Sequence, residues 1–125
     1  MLIDTNIVVD LFRGKENTLQ NLNTLPNIYL PVIALGELYI GTSRVSNKGK
    51  HLKELSDFLK SCTIVHINEE TAKIYGSIST ALYKKGKPIP TNDIWIAAIA
   101  IQNKFTLITG DKHFSEIAGL KIKSW

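Results

Sequence analysis

The sequence predicts an α/β fold of three layers, a central parallel sheet of four to five strands between helices. Two observations predict it. Short apolar segments alternate with longer segments of helical periodicity along the whole chain, the pattern of strand–helix–strand units whose strands run parallel. The last long helical segment, Ile94-Trp95-Ile96-Ala97-Ala98-Ile99-Ala100-Ile101, is apolar on every side, and such a helix must be buried. There is no internal repeat, low-complexity tract or long linker.

Taken in order, the first strand is expected at 2–3, followed by helices at 6–13 and 15–24. A second strand at 28–30 leads to Pro31, which suits the first turn of a helix at 32–43 because a missing N–H costs nothing there. A helix at 47–60 precedes a third strand at 63–66. Asn68 is placed to cap a helix at 69–84, and Glu69 and Glu70 favour its positive start. Lys84-Lys85-Gly86-Lys87-Pro88 ends that helix with basic residues and glycine, and Pro88 and Pro90 forbid continuation. The apolar helix spans 91–103, with Thr91 and Asn92 as cap candidates. Strands at 106–109 and 120–122 close the chain.

With 125 residues, 44% hydrophobic and 21% charged, the chain is expected to form one soluble globular domain over 1–125. Its longest apolar run, eight residues within the 91–103 helix, falls far short of the roughly 20 needed to span a bilayer. Asp4 stands where a secretory signal would need a basic start and an apolar stretch, so a cytoplasmic location is expected. Cys62 is the only cysteine, which excludes an internal disulfide, and its apolar neighbours Ile64 and Val65 indicate an inert core thiol. Fifteen Lys and Arg against eleven Asp and Glu give a net charge of +4. Solvated lysines explain that modest excess. Were four of the acids gathered in one pocket, seven would face the fifteen bases, and the remaining surface would be decidedly basic.

Most acids have a simple role. Glu54 and Asp57 belong on a polar helix face, Asp10 can pair with Arg13, and Glu16 and Glu116 read as solvated. Four others do not fit so easily. Asp4 follows Met1-Leu2-Ile3 and Asp111 follows Thr106-Leu107-Ile108-Thr109-Gly110. Each therefore lies just beyond the C-terminal end of a strand, the edge where open α/β sheets bind ligands; an N-cap or turn aspartate is the competing explanation. Glu37 is the only charged residue from Pro31 to Gly41, with Ile33, Ala34, Ile40 and Gly41 as its helical neighbours. A carboxylate on such a face is costly unless a cation or hydrogen bonds compensate. Only Arg44, at the helix end, offers an ion pair. Asp93 opens the buried helix, where capping is the rival role.

Together the four point to one site. Two carboxylates at about 4 Å repel by around 4 kcal/mol at an effective dielectric near 20, so some are protonated or divalent cations neutralise them. An all-oxygen acidic site without thiolate or imidazole suits Mg2+ or Mn2+, ions that activate water and stabilise charge on a transferring phosphoryl group.

Asp4-Thr5-Asn6-Ile7, Glu37 within Leu35-Gly36-Glu37-Leu38, Asn92-Asp93-Ile94-Trp95-Ile96-Ala97-Ala98 and Thr109-Gly110-Asp111-Lys112-His113-Phe114 resemble, in order, the motifs of PIN-domain proteins, and within them VapC-type toxins. The resemblance covers essentially the whole chain. It implies a PIN-like fold with Asp4, Glu37, Asp93 and Asp111 as catalytic acids binding Mg2+ or Mn2+, Thr5 and Asn6 supporting the first of them, and Thr109 beside the last. It implies an endoribonuclease acting on RNA, a small VapB-like antitoxin as inhibitory partner, a homodimer, and no membrane. Lys84, Lys85 and Lys87, in the loop before Asp93, and Lys112 beside Asp111 are candidate contacts to RNA phosphates, although solvated turns account for any one of them.

Rival readings are weaker. An aspartyl-phosphate hydrolase wants a second aspartate two residues after Asp4, where the chain has Asn6. Gly-x-Ser-x-Gly, His-Glu-x-x-His and Gly-rich phosphate loops are absent. His51, His66 and His113 show no ligand spacing, and His113 is expected to help hold the last turn. A catalytically idle RNA-binding or protein-docking domain is the alternative of a different class. Leu11, Phe12, Leu38 and Tyr39 are apolar residues that an antitoxin helix can use, with core packing as their simpler role.

Overall fold

In the computed structural model, which describes residues 1–125, five strands form one sheet. They are β1 (Leu2–Ile3), β2 (Ile28–Pro31), β3 (Cys62–Val65), β4 (Leu107–Ile108) and β5 (Ile122–Lys123), arranged β3-β2-β1-β4-β5. Every neighbouring pair is parallel. The connections carry α1 (Thr5–Phe12), α2 (Glu16–Asn23), α3 (Val32–Ser43), α4 (Lys48–Leu59), α5 (Glu69–Lys84) and α6 (Thr91–Gln102), and a 3-10 turn occupies Lys112–Glu116. This is the expected fold class. No helix is long and apolar enough to cross a membrane.

Alternation along two very short central strands separates two cores. Leu2 and Leu107 turn toward α5 and α6, where they pack with Ile96, Ile99 and Phe114. Ile3 and Ile108, one residue on, turn to the opposite face and join Leu30 of β2 with Val8, Leu22, Ala34 and Leu55 from the first four helices. Successive strand side chains point to opposite faces, so a slip of one residue would exchange the two sets. The pairings Leu2 with Leu107 and Ile3 with Ile108 fix that register.

From β1 the chain runs outward through β2 to β3, then returns through α5 and α6 to place β4 on the other side of β1. The strand order thus reverses beside β1. In open α/β sheets the crevice outside the strands' carboxyl ends at such a reversal is the natural ligand position, and here it lies at the ends of β1 and β4.

Several local expectations change. Pro31 is the last residue of β2 and the N-cap of α3, with φ −66° and ψ 141°, rather than part of the first turn. Its extended ψ lets it continue the pairing with β3, opposite Val65. Asp10 pairs with Lys15 at 3.3 Å and not with Arg13, because the chain reverses at Gly14 (φ +81°) and brings the Lys15 N–H back to the Asp10 carbonyl at 3.1 Å. Glu116 is half-buried, between Lys85 and Lys87, instead of solvated. Neither Thr91 nor Asn92 caps α6; Pro90 occupies the N-cap position without a side-chain bond. On α3, Leu38 is core, whereas Tyr39 and Ile40 are exposed at 48% and 53%. Cys62 is half-buried, and burial pushes its thiol up to about 11, which keeps it inert.

The Asn68 cap is realised in full. Its side chain accepts from the Thr71 N–H at 3.1 Å, and the Thr71 hydroxyl accepts from the Asn68 N–H at 3.0 Å. Gln102 of α6 donates to the same Asn68 oxygen at 2.9 Å and accepts from the fully buried Thr71 hydroxyl, so the cap also ties α5 to α6. Replacing Asn68 by Ala is expected to cost about 1–2 kcal/mol in urea unfolding with an unchanged m-value. A loss below about 0.3 kcal/mol, under the range for cap removal, would contradict this role.

Candidate active site

Asp4 is the first residue past β1 and the N-cap of α1, and it is only 4% exposed. Both of its carboxylate oxygens take donors: Oδ1 accepts from the Thr5 N–H at 2.8 Å and Oδ2 from the Thr109 hydroxyl at 2.8 Å. Thr109, buried just past β4, also accepts from the Asp111 N–H at 3.0 Å. One threonine hydroxyl therefore joins acids 107 positions apart in the sequence. Thr5 has a matching role. Its hydroxyl donates to Glu37 Oε1 at 2.9 Å, bringing the second turn of α3 against the start of α1.

Asp93 sits in the first turn of α6, and Asp111 caps the 3-10 turn by accepting from the His113 N–H at 3.0 Å. Between these two acids stands His113, with Nδ1 at 3.3 Å from Asp93 Oδ2 and 3.1 Å from Asp111 Oδ1. Phe114, fully buried in the core beneath α6, anchors the turn that carries both Asp111 and His113.

All four acids line one cavity of about 440 Å³, together with Thr5, Asn6 and His113 and the 90–92 segment. No lysine or arginine lines it, and Pro90 brings its only apolar side chain. The negative charge therefore has the His113 ring beside it but no lysine or arginine. Burial pushes the Asp4 carboxyl up to about 6, with the nearby Asp93 and Glu37 charges adding to it, against the lowering effect of its bonds to Thr109 and Thr5. Burial likewise raises Asp93, and the Asp111 charge adds to this while His113 opposes it. Carboxylates held in this way can bind a divalent cation through oxygen, and the imidazole adds one nitrogen.

The sequence expectations divide accordingly. Asp4, Glu37, Asp93 and Asp111 come together, and with four acids in one cavity the other seven face fifteen bases. Thr5 supports Asp4 through its backbone and Glu37 through its hydroxyl, while Thr109 links the first acid to the last. Asn6 lines the cavity and is exposed. None of the four candidate lysines lines it: Lys84 and Lys112 are exposed, and Lys85 and Lys87 bridge Glu116 at 3.9 and 3.4 Å. The all-oxygen expectation needs correction, because His113 belongs to the site. Its signal was local: an aspartate that caps a turn folds back on the residue two positions later.

Comparison with known proteins gives a consistent picture. A family model described as the PIN domain matches residues 1–120. Ribonuclease VapC1 of Rickettsia felis is 38% identical over 126 residues, covering 98% of this chain and 93% of that protein. The fold is similar to VapBC2 of Rickettsia felis, crystallised on a DNA fragment from its promoter, with a TM-score of 0.94, 31% identity, and coverage of 99% of this chain and 97% of that one. It is also similar to a toxin-antitoxin complex from Klebsiella pneumoniae, with a TM-score of 0.77, 27% identity, and coverage of 95% and 93%.

The buried Asp4 makes metal-free stability depend on pH. Its carboxyl holds a proton up to about 6 when folded but only to 3.8 when unfolded, so the folded state binds more protons between those values and stability falls as pH rises through them. The loss at neutral pH approaches about 3 kcal/mol. In chelator, the stability of Asp4→Asn relative to wild type is expected to grow from near zero at about pH 4 to most of that amount at about pH 7. A difference that does not change with pH would contradict the assignment.

Proposed function

This chain belongs to the PIN-domain family, and from that premise we propose that it is the toxin of a toxin–antitoxin pair. In this reading it is an Mg2+- or Mn2+-dependent endoribonuclease whose metal-binding and catalytic residues are Asp4, Glu37, Asp93 and Asp111. The observation that carries the proposal is a cavity lined by four carboxylates and no lysine or arginine, at the sheet edge where the strand order reverses. The donor chemistry fits a hard divalent ion, because carboxylate oxygens predominate and the Asp4 charge has no protein cation to offset it. Once bound, such an ion supplies an activated water and offsets charge on the phosphoryl oxygens.

The chain's own residues hold that chemistry in place. Thr5 N–H and the Thr109 hydroxyl occupy one lone pair on each Asp4 oxygen, which orients the carboxylate and leaves its other lone pairs for a ligand. The Thr5 hydroxyl does the same for Glu37. Asp111, tied to Thr109 through its backbone and to the 3-10 turn through its side chain, is fixed relative to Asp4. Such second contacts are what turn a set of acids into an oriented ligand group. An anionic cavity repels RNA phosphates until cations occupy it, while the basic excess elsewhere attracts the polymer. Lys84 and Lys112 are free to contact phosphates in this scheme, whereas Lys85 and Lys87 must first exchange Glu116 for RNA.

Ribonuclease VapC1 and the toxin-antitoxin complex, as relatives along nearly the full chain, support RNA as substrate and an antitoxin as partner. A homodimer in the cytoplasm, formed from single domains spanning 1–125, completes the proposal.

Purified protein is expected to cut RNA with Mg2+ or Mn2+ and to stop when chelator is added. Asp93→Asn should lose activity by about 100-fold or more, as removal of a metal ligand does, while keeping the wild-type circular dichroism spectrum. Full activity in Asp93→Asn would refute the site. Absence of metal-dependent cleavage by the wild type would favour the idle RNA-binding or docking domain.

A further inference from the structure

The cavity has two halves, each with its own connector. Asp4 and Glu37 share Thr5, and Asp93 and Asp111 share His113. The second connector is chemically different. Nδ1 of an imidazole carries either one hydrogen or one lone pair, so a neutral ring satisfies at most one of the two oxygens that lie 3.1 and 3.3 Å from it. A cation among the three groups satisfies all of them.

We propose that His113 is a nitrogen ligand of the metal site, so that the Asp93–Asp111 half takes Mn2+, or another divalent ion that accepts nitrogen, in preference to Mg2+. The inference rests on the metal-dependent reading above. One ligand atom from each of Asp93, Asp111 and His113 lies within 4.8 Å of the others. Adjacent ligand atoms around an octahedral ion with bonds of about 2.1 Å are about 3.0 Å apart, and opposite ones about 4.2 Å. The two separations from Nδ1 are close to the adjacent value and the third is within 4.8 Å, so side-chain movement alone brings the three groups to one ion.

The ring is also held from its own backbone. The His113 N–H is engaged by Asp111 Oδ1 at 3.0 Å, and the next residue, Phe114, is fully buried. These contacts fix the backbone that carries the half-exposed ring, and so the position from which it reaches the two acids. The preference follows from ligand type. Mg2+ keeps its waters and takes oxygen, whereas Mn2+, which also takes oxygen, opens the first-row series whose members accept imidazole with rising affinity.

Mn2+ is the probe, since its electron spin reports directly bound nitrogen in pulsed paramagnetic resonance. Wild-type protein with Mn2+ is expected to show one such coupling, which changes to the nitrogen-15 pattern when the histidines are labelled and disappears in His113→Gln. Calorimetry should show the same substitution weakening Mn2+ by about tenfold or more, and Mg2+ by less, since that ion takes oxygen ligands and keeps its waters. Bound Mn2+ without nitrogen coupling, or coupling that survives in His113→Gln, overturns the role of His113 and leaves the four-acid site intact. Failure of the wild type to take up Mn2+ at all overturns both.

Discussion

The buried carboxylate of Asp4 is the constraint on which the molecule turns. It sits where two central strands end and α1 begins, with no lysine or arginine in the cavity and a hydroxyl or N–H on each oxygen. These hydrogen bonds lower the cost of the charge but do not cancel it, since burial still holds the carboxyl well above the usual range. Removing an Asp4 partner would leave a poorly compensated buried charge. The site is therefore a local instability that the rest of the fold sustains, and a ligand of opposite charge relieves it.

That support comes from the two cores. Each central strand contributes only two residues, and all four are fully buried, one from each strand to either face. A parallel sheet this narrow at its centre holds its register through packing on both sides. The register in turn sets Asp4 beside Thr109. α3 and α6 deliver Glu37 and Asp93 from opposite layers, and the 3-10 turn adds Asp111 and His113 over the buried Phe114. Because the contributions come from separate elements, the acids share neither a helix face nor a local motif. Their convergence is a consequence of topology.

This explains what was legible in the sequence. The helices could be read because caps and breakers marked their ends: Asn68 and the Gly86–Pro90 segment bound α5 to within a residue. Asp4 and Asp111 could be read because strand ends in a parallel sheet face ligands, and Glu37 because it is a lone charge among apolar helical neighbours. Contacts between distant residues could not be read. Nothing local announces that Thr109 donates to Asp4, or that Lys85 and Lys87 close on Glu116. The pairing of Asp10 with Lys15 depended on a reversal at Gly14 that spacing alone does not indicate. The sequence places His113 in a turn, where it lies; that the same turn aims its ring at Asp93 depends on where α6 begins. Pro31 escaped for a related reason, since proline suits both a strand end and a helix start and only the neighbouring strand decides between them.

The convergence of acids on one cation is most directly tested by anomalous scattering from crystals grown with saturating Mn2+. A peak is expected inside the cavity, with carboxylate oxygens of Asp4, Glu37 and Asp93 reaching it directly at about 2.2 Å or through one water. A cavity without a peak, with manganese found instead only at surface acids such as Asp57, would contradict it.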